Sequence, residues 1–297
     1  MNGDQIKALP LYLLLPFIYL VALLPFRVMY AISDLTFLII FHLIGYRRKV
    51  VRANLVNSFP ERSEQEINKI EKDFYQYFCD LLLETLKTLT ITPKQLKKRV
   101  LFEDTSPFRK YFDKKQSVII VMGHMGNWEL AGARFGVENL HKLNTIYHPL
   151  SNSFFEKLIV RMRTRLGNGL YPMNEVYKRM LQDKDQVTAT AFIADQSPSP
   201  RSAYWMTFLN QDTPVFMGTE KLARKLNYPI LYVSLERERR GSYSIQCEVL
   251  CEDPSGTDEY EITKLHTRRL EKDIIKNPEI WLWTHRRWKH RRPASAQ

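Results

Sequence analysis

Disulfide and metal chemistry have little to work with in this chain, which holds three cysteines, Cys79, Cys247 and Cys251, among 297 residues. Cys247 and Cys251 share a stretch that reads as a strand, and no second pair lies near them. Neither a zinc framework nor a disulfide scaffold is spelled out, and the three read as reduced residues of a protein facing the cytoplasm. Phosphate-cradling loops are missing too: there is no G-x-x-x-x-G-K-[ST] run and no G-x-G-x-x-G run, which disfavours a nucleotide enzyme. The absence of a G-x-S-x-G elbow and of a placed cysteine nucleophile disfavours a covalent acyl-enzyme. No repeat is visible, and no Pro/Gly/Ser linker divides residues 47–297, so that span reads as one domain. Acidic residues are the scarcer charge, 32 against 44 Lys and Arg, for a formal net charge of +12. Such an excess calls for an anionic partner: nucleic acid, a phospholipid surface or an acidic protein.

The N-terminus decides among these. Residues 9–26 (LPLYLLLPFIYLVALLPF) are 18 consecutive uncharged residues, and after Arg27 the run 28–46 carries only Asp34 and His42 as polar burdens. The first run is just long enough to cross a bilayer core, but Pro10, Pro16 and Pro25 would kink it. The start MNGDQIK is weakly basic and no small-residue cleavage site comes after it, so a signal peptide fits poorly. Two pictures remain: a transmembrane helix followed by an amphipathic one, or a helical hairpin lying partly inside one leaflet. Either one puts Arg47, Arg48, Lys49 and Arg52 at headgroup level. Residues 1–46 are therefore expected to form a membrane-attaching segment and 47–297 the catalytic domain.

Beyond residue 63 the pattern changes. Ser63 and Glu66 form a capping box, and Ile67, Ile70, Phe74, Phe78, Leu81 and Leu82 recur at helical spacing, predicting an amphipathic core-packed helix over 63–90. From about residue 100, candidate strands (117–122, 144–148, 187–194, 229–235, 242–250) alternate with helical patterns (127–138, 152–166, 174–183, 216–227, 258–276). This predicts an α/β fold with a central, mostly parallel or mixed sheet flanked by helices. Such sheets bind ligands at the carboxyl ends of their strands.

The chemistry concentrates where the apolar run SVIIVM meets GHMGNWE, residues 123–129. His124 would end a strand, and Glu129 would lie in the first turn of the next helix. Histidine titrates near neutrality, and a carboxylate can hold its ring in one tautomer, so the pair is a candidate base and orienter. On spacing alone a surface pair is the more ordinary reading. Backbone N–H groups near Gly126 and Asn127 are candidate donors to an oxyanion. With covalent and nucleotide routes disfavoured, the remaining route is direct attack by a substrate hydroxyl on an activated carbonyl.

GHMGNWE resembles the His-x-x-x-x-Asp/Glu motif of the glycerolipid acyltransferase superfamily, in the HxGNWE form of the bacterial lipid A late acyltransferases. The resemblance extends to the apolar N-terminus, YRRKVVRANLVNSF (46–59), ADQSP (194–198) and PEIWLWTHRRWKHRRP (278–293). It implies transfer of a fatty acyl chain from acyl carrier protein, or from coenzyme A, to a hydroxyl of a membrane lipid, with a lipid A precursor first among acceptors. A lysophospholipid, aminolipid or glycolipid acceptor, or a non-catalytic membrane-binding protein on the same fold, are the alternatives. No cofactor is implied beyond the acyl-ACP or acyl-CoA co-substrate, no metal and no nucleic acid, and the implied location is the cytoplasmic face of the bacterial inner membrane. His124 would be the general base and Glu129 its partner. Asp195 matches a functional aspartate, and a functional arginine falls in RMRTRLG (161–167), with Arg163 the first choice and Arg165 next, to grip phosphate. The basic ending HRRWKHRR (285–292) is expected to meet headgroup phosphates or the acidic carrier, with Trp281, Trp283 and Trp288 packed.

Overall fold

The computed structural model describes residues 9–138 and 140–293. Seven strands form its central sheet: β1 (Val100–Phe102), β2 (Val118–Met122), β3 (Lys142–Tyr147), β4 (Gly169–Pro172), β5 (Thr188–Ile193), β8 (Ile230–Arg239) and β9 (Ser242–Cys251). They lie in the order β1-β9-β8-β2-β5-β3-β4. All neighbours pair in parallel except β8 and β9, which form an antiparallel hairpin. β2 is wholly buried, as expected of an apolar run between two parallel neighbours. A separate antiparallel hairpin, β6 (Tyr204–Phe208) with β7 (Gln211–Val215), fills the stretch after residue 199 that carried no strand signal.

Crossover handedness sorts the helices onto two faces. The steps from β2 to β3 and from β3 to β4 run toward one sheet edge, through α7 (Trp128–Phe135) and α8 (Ser153–Thr164). The chain then returns from β4 to β5 through α9 (Val176–Gln182) and from β5 to β8 through α10 (Gly218–Leu226). Right-handed crossovers travelling in opposite directions place their helices on opposite faces. The cores divide accordingly: Val118, Ile120 and Met122 pack with Leu130 and Phe135 of α7. Ile119 and Val121 pack with Val176 and Met180 of α9, Ala223 of α10 and Ile262 of α11 (Glu261–Lys276).

The N-terminal apolar residues do not make one helix over 9–26. Leu9–Leu14 is a 3₁₀ turn, α1 spans Leu15–Leu23, and a break at Leu24–Pro25 precedes α2 (Phe26–Leu38), which continues as a π-helical turn to Ile44. Proline at 25 lacks the N–H that would carry a helix through, and Lys87 Nζ fills the gap by donating to the carbonyls of Ala22 (2.8 Å) and Leu24 (2.7 Å). The continuous helix is thus Phe26–Ile44, 19 residues of mean hydropathy 1.6, about 28 Å long at 1.5 Å per residue. One side, with Ala22, Phe26, Met29, Ser33 and Phe37, packs inward, while Phe17, Leu20, Leu23, Leu35, Leu38, Leu43 and Ile44 stay exposed. The inner side rests on α4 (Glu64–Lys87), whose capping box forms as expected: Glu66 N donates to Ser63 Oγ and Ser63 N to Glu66 Oε2. Two further helices, α5 (Pro93–Arg99) and α6 (Ser106–Phe112), lead into β1 and β2, and α3 (Arg48–Ser58) joins the N-terminal layer to α4.

The basic cluster after Tyr46 is largely committed to protein partners. Arg48 and Arg52 both pair with Glu71 on α4, and Arg47 Nη1 donates to the carbonyl of Thr284. Only Lys49 of the four is exposed without such a partner among the described residues.

Candidate active site

Two adjacent parallel strands set the site. β2 and β5 pair with Met122 opposite Ile193, and the chain runs two residues past each before placing a functional side chain. His124 and Asp195 are therefore neighbours by register, although 71 residues separate them. His124 Nδ1 lies 2.6 Å from Asp195 Oδ1, and the His124 backbone N–H donates to Asp195 Oδ2 at 2.7 Å. Trp281 Nε1 donates to the same Oδ2 at 2.8 Å. Burial alone would raise the Asp195 pKa, but the imidazole charge and these three donors overcome it and hold the carboxyl at about 2. Asp195 is thus an anion at any ordinary pH, and it fixes the ring with Nδ1 as the proton-bearing nitrogen.

The expectation that Glu129 would orient His124 is corrected by this geometry. Glu129 does lie in the first turn of α7, but its carboxylate faces Arg163 from α8: Arg163 Nε donates to both oxygens (3.2 and 3.0 Å) and Nη2 to Oε1 (2.5 Å). A helix turn carries residue 129 away from the strand end that holds 124, and the place beside the imidazole is taken by the neighbouring strand. The carboxylate keeps Arg163 charged despite its burial. Arg163 Nη1 makes no hydrogen bond among the described residues.

Arg163 and Arg165, inseparable by spacing, part company in space. Arg165 caps carbonyls, donating to Thr88 O (2.8 Å) and Ile91 O, while Arg161 donates to the Tyr19 hydroxyl. Neither lines the cavity that His124 and Arg163 share.

The donor expected at Gly126 is also corrected, and Asn127 is not among the residues lining the cavity. Gly126 sits at φ +53° with space for no side chain, since a Cβ would come within 2.9 Å of Leu235 Cβ. Its N–H donates to the carbonyl of Ile280 (3.0 Å), and its carbonyl accepts from the Tyr77 hydroxyl. Asn127 is fully buried: Oδ1 caps α7 by accepting from Leu130 N, and Nδ2 donates to Glu84 Oε2 at 2.7 Å. Both residues build the turn rather than face the cavity. Glu84, itself buried, also accepts from the hydroxyls of Tyr30 and Tyr243, so α2, α4, α7 and β9 meet on one carboxylate.

The C-terminal segment completes the turn. Leu282 N donates to His124 O, and Trp281 and Trp283 are buried as expected. Arg287 departs from the expected surface role. It is 1% exposed, donates through Nη2 to Pro214 O, and lies behind Asp195 at a 10 Å³ void shared with His266. Burial pulls its pKa down to about 10 against the attraction of Asp195. Arg286, Lys289, Arg291 and Arg292 remain exposed at the surface.

His124 opens onto a cavity of about 390 Å³ at the carboxyl ends of β2, β3 and β5. Ile146, Ile159, Val176, Phe192 and Leu222 make most of its wall apolar, and Arg163, Tyr147 and Gln196 supply polar points. A narrower apolar space of about 60 Å³ adjoins it, sharing Thr145, Arg163 and Ile193 and ending against Phe102, Phe108 and Phe135 inside the core. Trp128 stands edge-on to the imidazole at 4.9 Å between ring centroids. The missed feature, the Asp195 contact with His124, carried no local signal, because strand pairing rather than spacing creates it.

A histidine–aspartate pair beside an apolar-walled cavity fits acyl chemistry, and comparison with known proteins agrees. Residues 5–290 match the model of the bacterial lipid A biosynthesis acyltransferases. The lipid A biosynthesis lauroyltransferase of Escherichia coli (strain K12) is 24% identical over 279 residues, covering 92% of this chain and 89% of the relative. The palmitoleoyltransferase of the same organism is 24% identical over 82% of this chain and 79% of its own length. A lipid A biosynthesis acyltransferase of Haemophilus influenzae (strain ATCC 51907 / DSM 11121 / KW20 / Rd) is 22% identical over 84% of this chain and 79% of its own. With nearly its whole length matched, the chain belongs to the bacterial lipid A biosynthesis acyltransferase family and is an acyltransferase.

Proposed function

We propose that this protein moves a fatty acyl chain from an acyl thioester, carried by acyl carrier protein or coenzyme A, to a hydroxyl of a lipid A precursor at the cytoplasmic face of the inner membrane. The observation that carries this reading is the His124–Asp195 contact of 2.6 Å at the edge of the 390 Å³ cavity. With Nδ1 committed to Asp195, Nε2 is the nitrogen left to take a proton from the acceptor hydroxyl. The alkoxide oxygen then attacks the thioester carbonyl, the tetrahedral intermediate collapses, and the thiolate departs. A thiolate is a good enough leaving group that one base suffices, and no covalent acyl-enzyme is needed.

The oxyanion needs a donor, and Gly126 N–H is already spent on Ile280. Arg163 Nη1 takes that role in this reading, with Glu129 holding the guanidinium in place by two-point contact. Glu129 is then a positioning residue acting through Arg163. The acyl chain lies along the apolar wall, its distal carbons directed at the 60 Å³ space closed by Phe102, Phe108 and Phe135. No metal or further cofactor takes part in these steps.

Membrane attachment rests on the exposed side of residues 13–44. Leu13, Phe17, Leu20, Leu23, Leu35, Leu43 and Ile44 are each more than half exposed, far more contiguous apolar surface than a protein leaves in water. Because the opposite side packs on α4 and α8, this layer sits against or within one leaflet and brings the cavity to the lipid. Purified protein supplied with labelled acyl carrier protein and a lipid A precursor should form the acylated lipid, and His124→Ala should abolish transfer without altering folding or membrane recovery. Undiminished turnover by His124→Ala would remove the proposal.

A further inference from the structure

The cavity reaches the surface at His148, Leu150, Met173 and Gly218, its exposed lining residues. Two of these introduce α9 and α10, which lie on the sheet face opposite α7 and α8. The N-terminal apolar layer rests on α8, where Ala22 packs with Phe154, Leu158 and Met162. The lipid-facing side and the α9–α10 side therefore reach one cavity from opposite faces of the sheet. The α9–α10 helices carry an excess of positive charge beside exposed Tyr177 and Leu181. Lys178, Arg179, Lys221, Arg224 and Lys225 come from these two helices, whose single acid, Glu220, is buried and satisfied by the N–H groups of Tyr260 and Thr263. Arg179 pairs with Glu175, and Arg224 lies 3.9 Å from Glu220. Lys178, Lys221 and Lys225 are exposed and enter no ion pair among the described residues. Lys225 lies 4.1 Å above the Tyr177 ring, which ties the two helices into one surface. Beside α10 an open groove of about 570 Å³ runs between Lys221, Arg224 and Lys225 and the Ser255–Tyr260 segment, with Glu259 the one exposed acid on its far wall.

We propose that this α9–α10 surface docks an acidic carrier protein, which delivers the acyl thioester on its phosphopantetheine arm past Met173 and Gly218 to His124. This deepens the acyl-transfer reading and rests on it. Two unpaired lysines lining the groove, Lys221 and Lys225, with Lys178 on the neighbouring helix, complement an acidic helix, and complementarity of this kind governs encounter and partner choice. The free cofactor form of the same thioester, coenzyme A, offers no protein surface to the lysines, so it separates docking from chemistry.

The test uses the full-length protein in detergent or vesicles with a lipid acceptor, comparing one acyl chain on acyl carrier protein and on coenzyme A. The triple variant Lys178→Glu/Lys221→Glu/Lys225→Glu should show KM for the acyl carrier protein raised about tenfold or more. Its turnover of acyl-CoA should stay within about twofold of wild type, which also shows that the variant is folded. Wild-type carrier turnover should fall as salt is raised through about 0.05 to 0.3 M, and the variant's should not. A carrier with acidic-to-lysine changes on its docking helix should restore the variant. Equal KM for the carrier in variant and wild type, or a wild-type preference for coenzyme A, would overturn the docking surface while leaving acyl transfer standing. Absence of transfer from both donors in the wild type would instead defeat the acyl-transfer reading and the docking surface with it.

Discussion

Asp195→Asn removes one charge and almost no volume, and the surrounding donors dictate how the new amide must sit. Asp195 Oδ2 accepts from two fixed N–H groups, His124 N at 2.7 Å and Trp281 Nε1 at 2.8 Å. An asparagine must therefore turn its carbonyl toward them, because the opposite flip would set its NH₂ against two donors. Its NH₂ then points at His124 Nδ1, 2.6 Å away in the parent, and can only donate. The imidazole is forced into the tautomer with its proton on Nε2, the nitrogen that must be empty to act as a base. Trapping the wrong tautomer in the serine-protease triad lowers kcat by about 10⁴-fold, or roughly 5 kcal/mol at the transition state, and a comparable loss is expected here. The same change withdraws a carboxylate whose pKa is held at about 2. Because the three donors hold that pKa below its unfolded value, the ionised carboxylate contributes stability above the carboxylate range, which the amide forgoes. The variant should thus melt several degrees lower yet remain folded at 25 °C. Kcat would be followed by transfer of a labelled acyl chain under saturating donor, alongside a circular-dichroism melt. A folded Asp195→Asn protein retaining more than about a tenth of wild-type kcat would refute the tautomer argument.

The same geometry sets further outcomes. Glu129→Ala and Arg163→Ala should each lower kcat about 10²-fold or more, and the double variant should be little worse than either, as a shared ion pair requires; additive losses in this cycle would separate their roles. Ala191→Leu fills the narrow space bounded by Phe108 and Phe135 and should shift donor preference to shorter chains, read by competition between acyl donors of different length; an unchanged profile would place the chain elsewhere. Burial holds the His266 pKa at about 4, below the ordinary histidine value, so its neutral form is stabilising above pH 6.5. That contribution, on the order of 3 kcal/mol, is lost as pH falls from 6.5 to about 4, because the unfolded chain takes up the proton first. Melting temperature should drop through this window, and His266→Gln should flatten the drop; parallel curves for the two proteins would assign the acid sensitivity to other groups.

The register of β2 and β5 marks how far sequence alone could go. Hydrophobic runs separated by glycine and polar turns made five of the seven sheet strands legible, along with the Ser63 capping box, because these depend on neighbours in the chain. β1, β4 and the β6–β7 hairpin were not legible: the first two are three and four residues long, and β7 contains Pro214. The kinked apolar N-terminus was visible in its prolines, but not that the break falls at Leu24–Pro25, where Lys87 arrives from α4 to satisfy the freed carbonyls. The motif His124–Glu129 determined that a histidine stands at the end of a strand, and the family motif pointed to acyl transfer. Which carboxylate steadies that base was decided only in three dimensions. Side chains five apart across a strand-to-helix turn diverge, while strand ends paired in parallel converge, so the imidazole took Asp195 from the next strand and left Glu129 to Arg163.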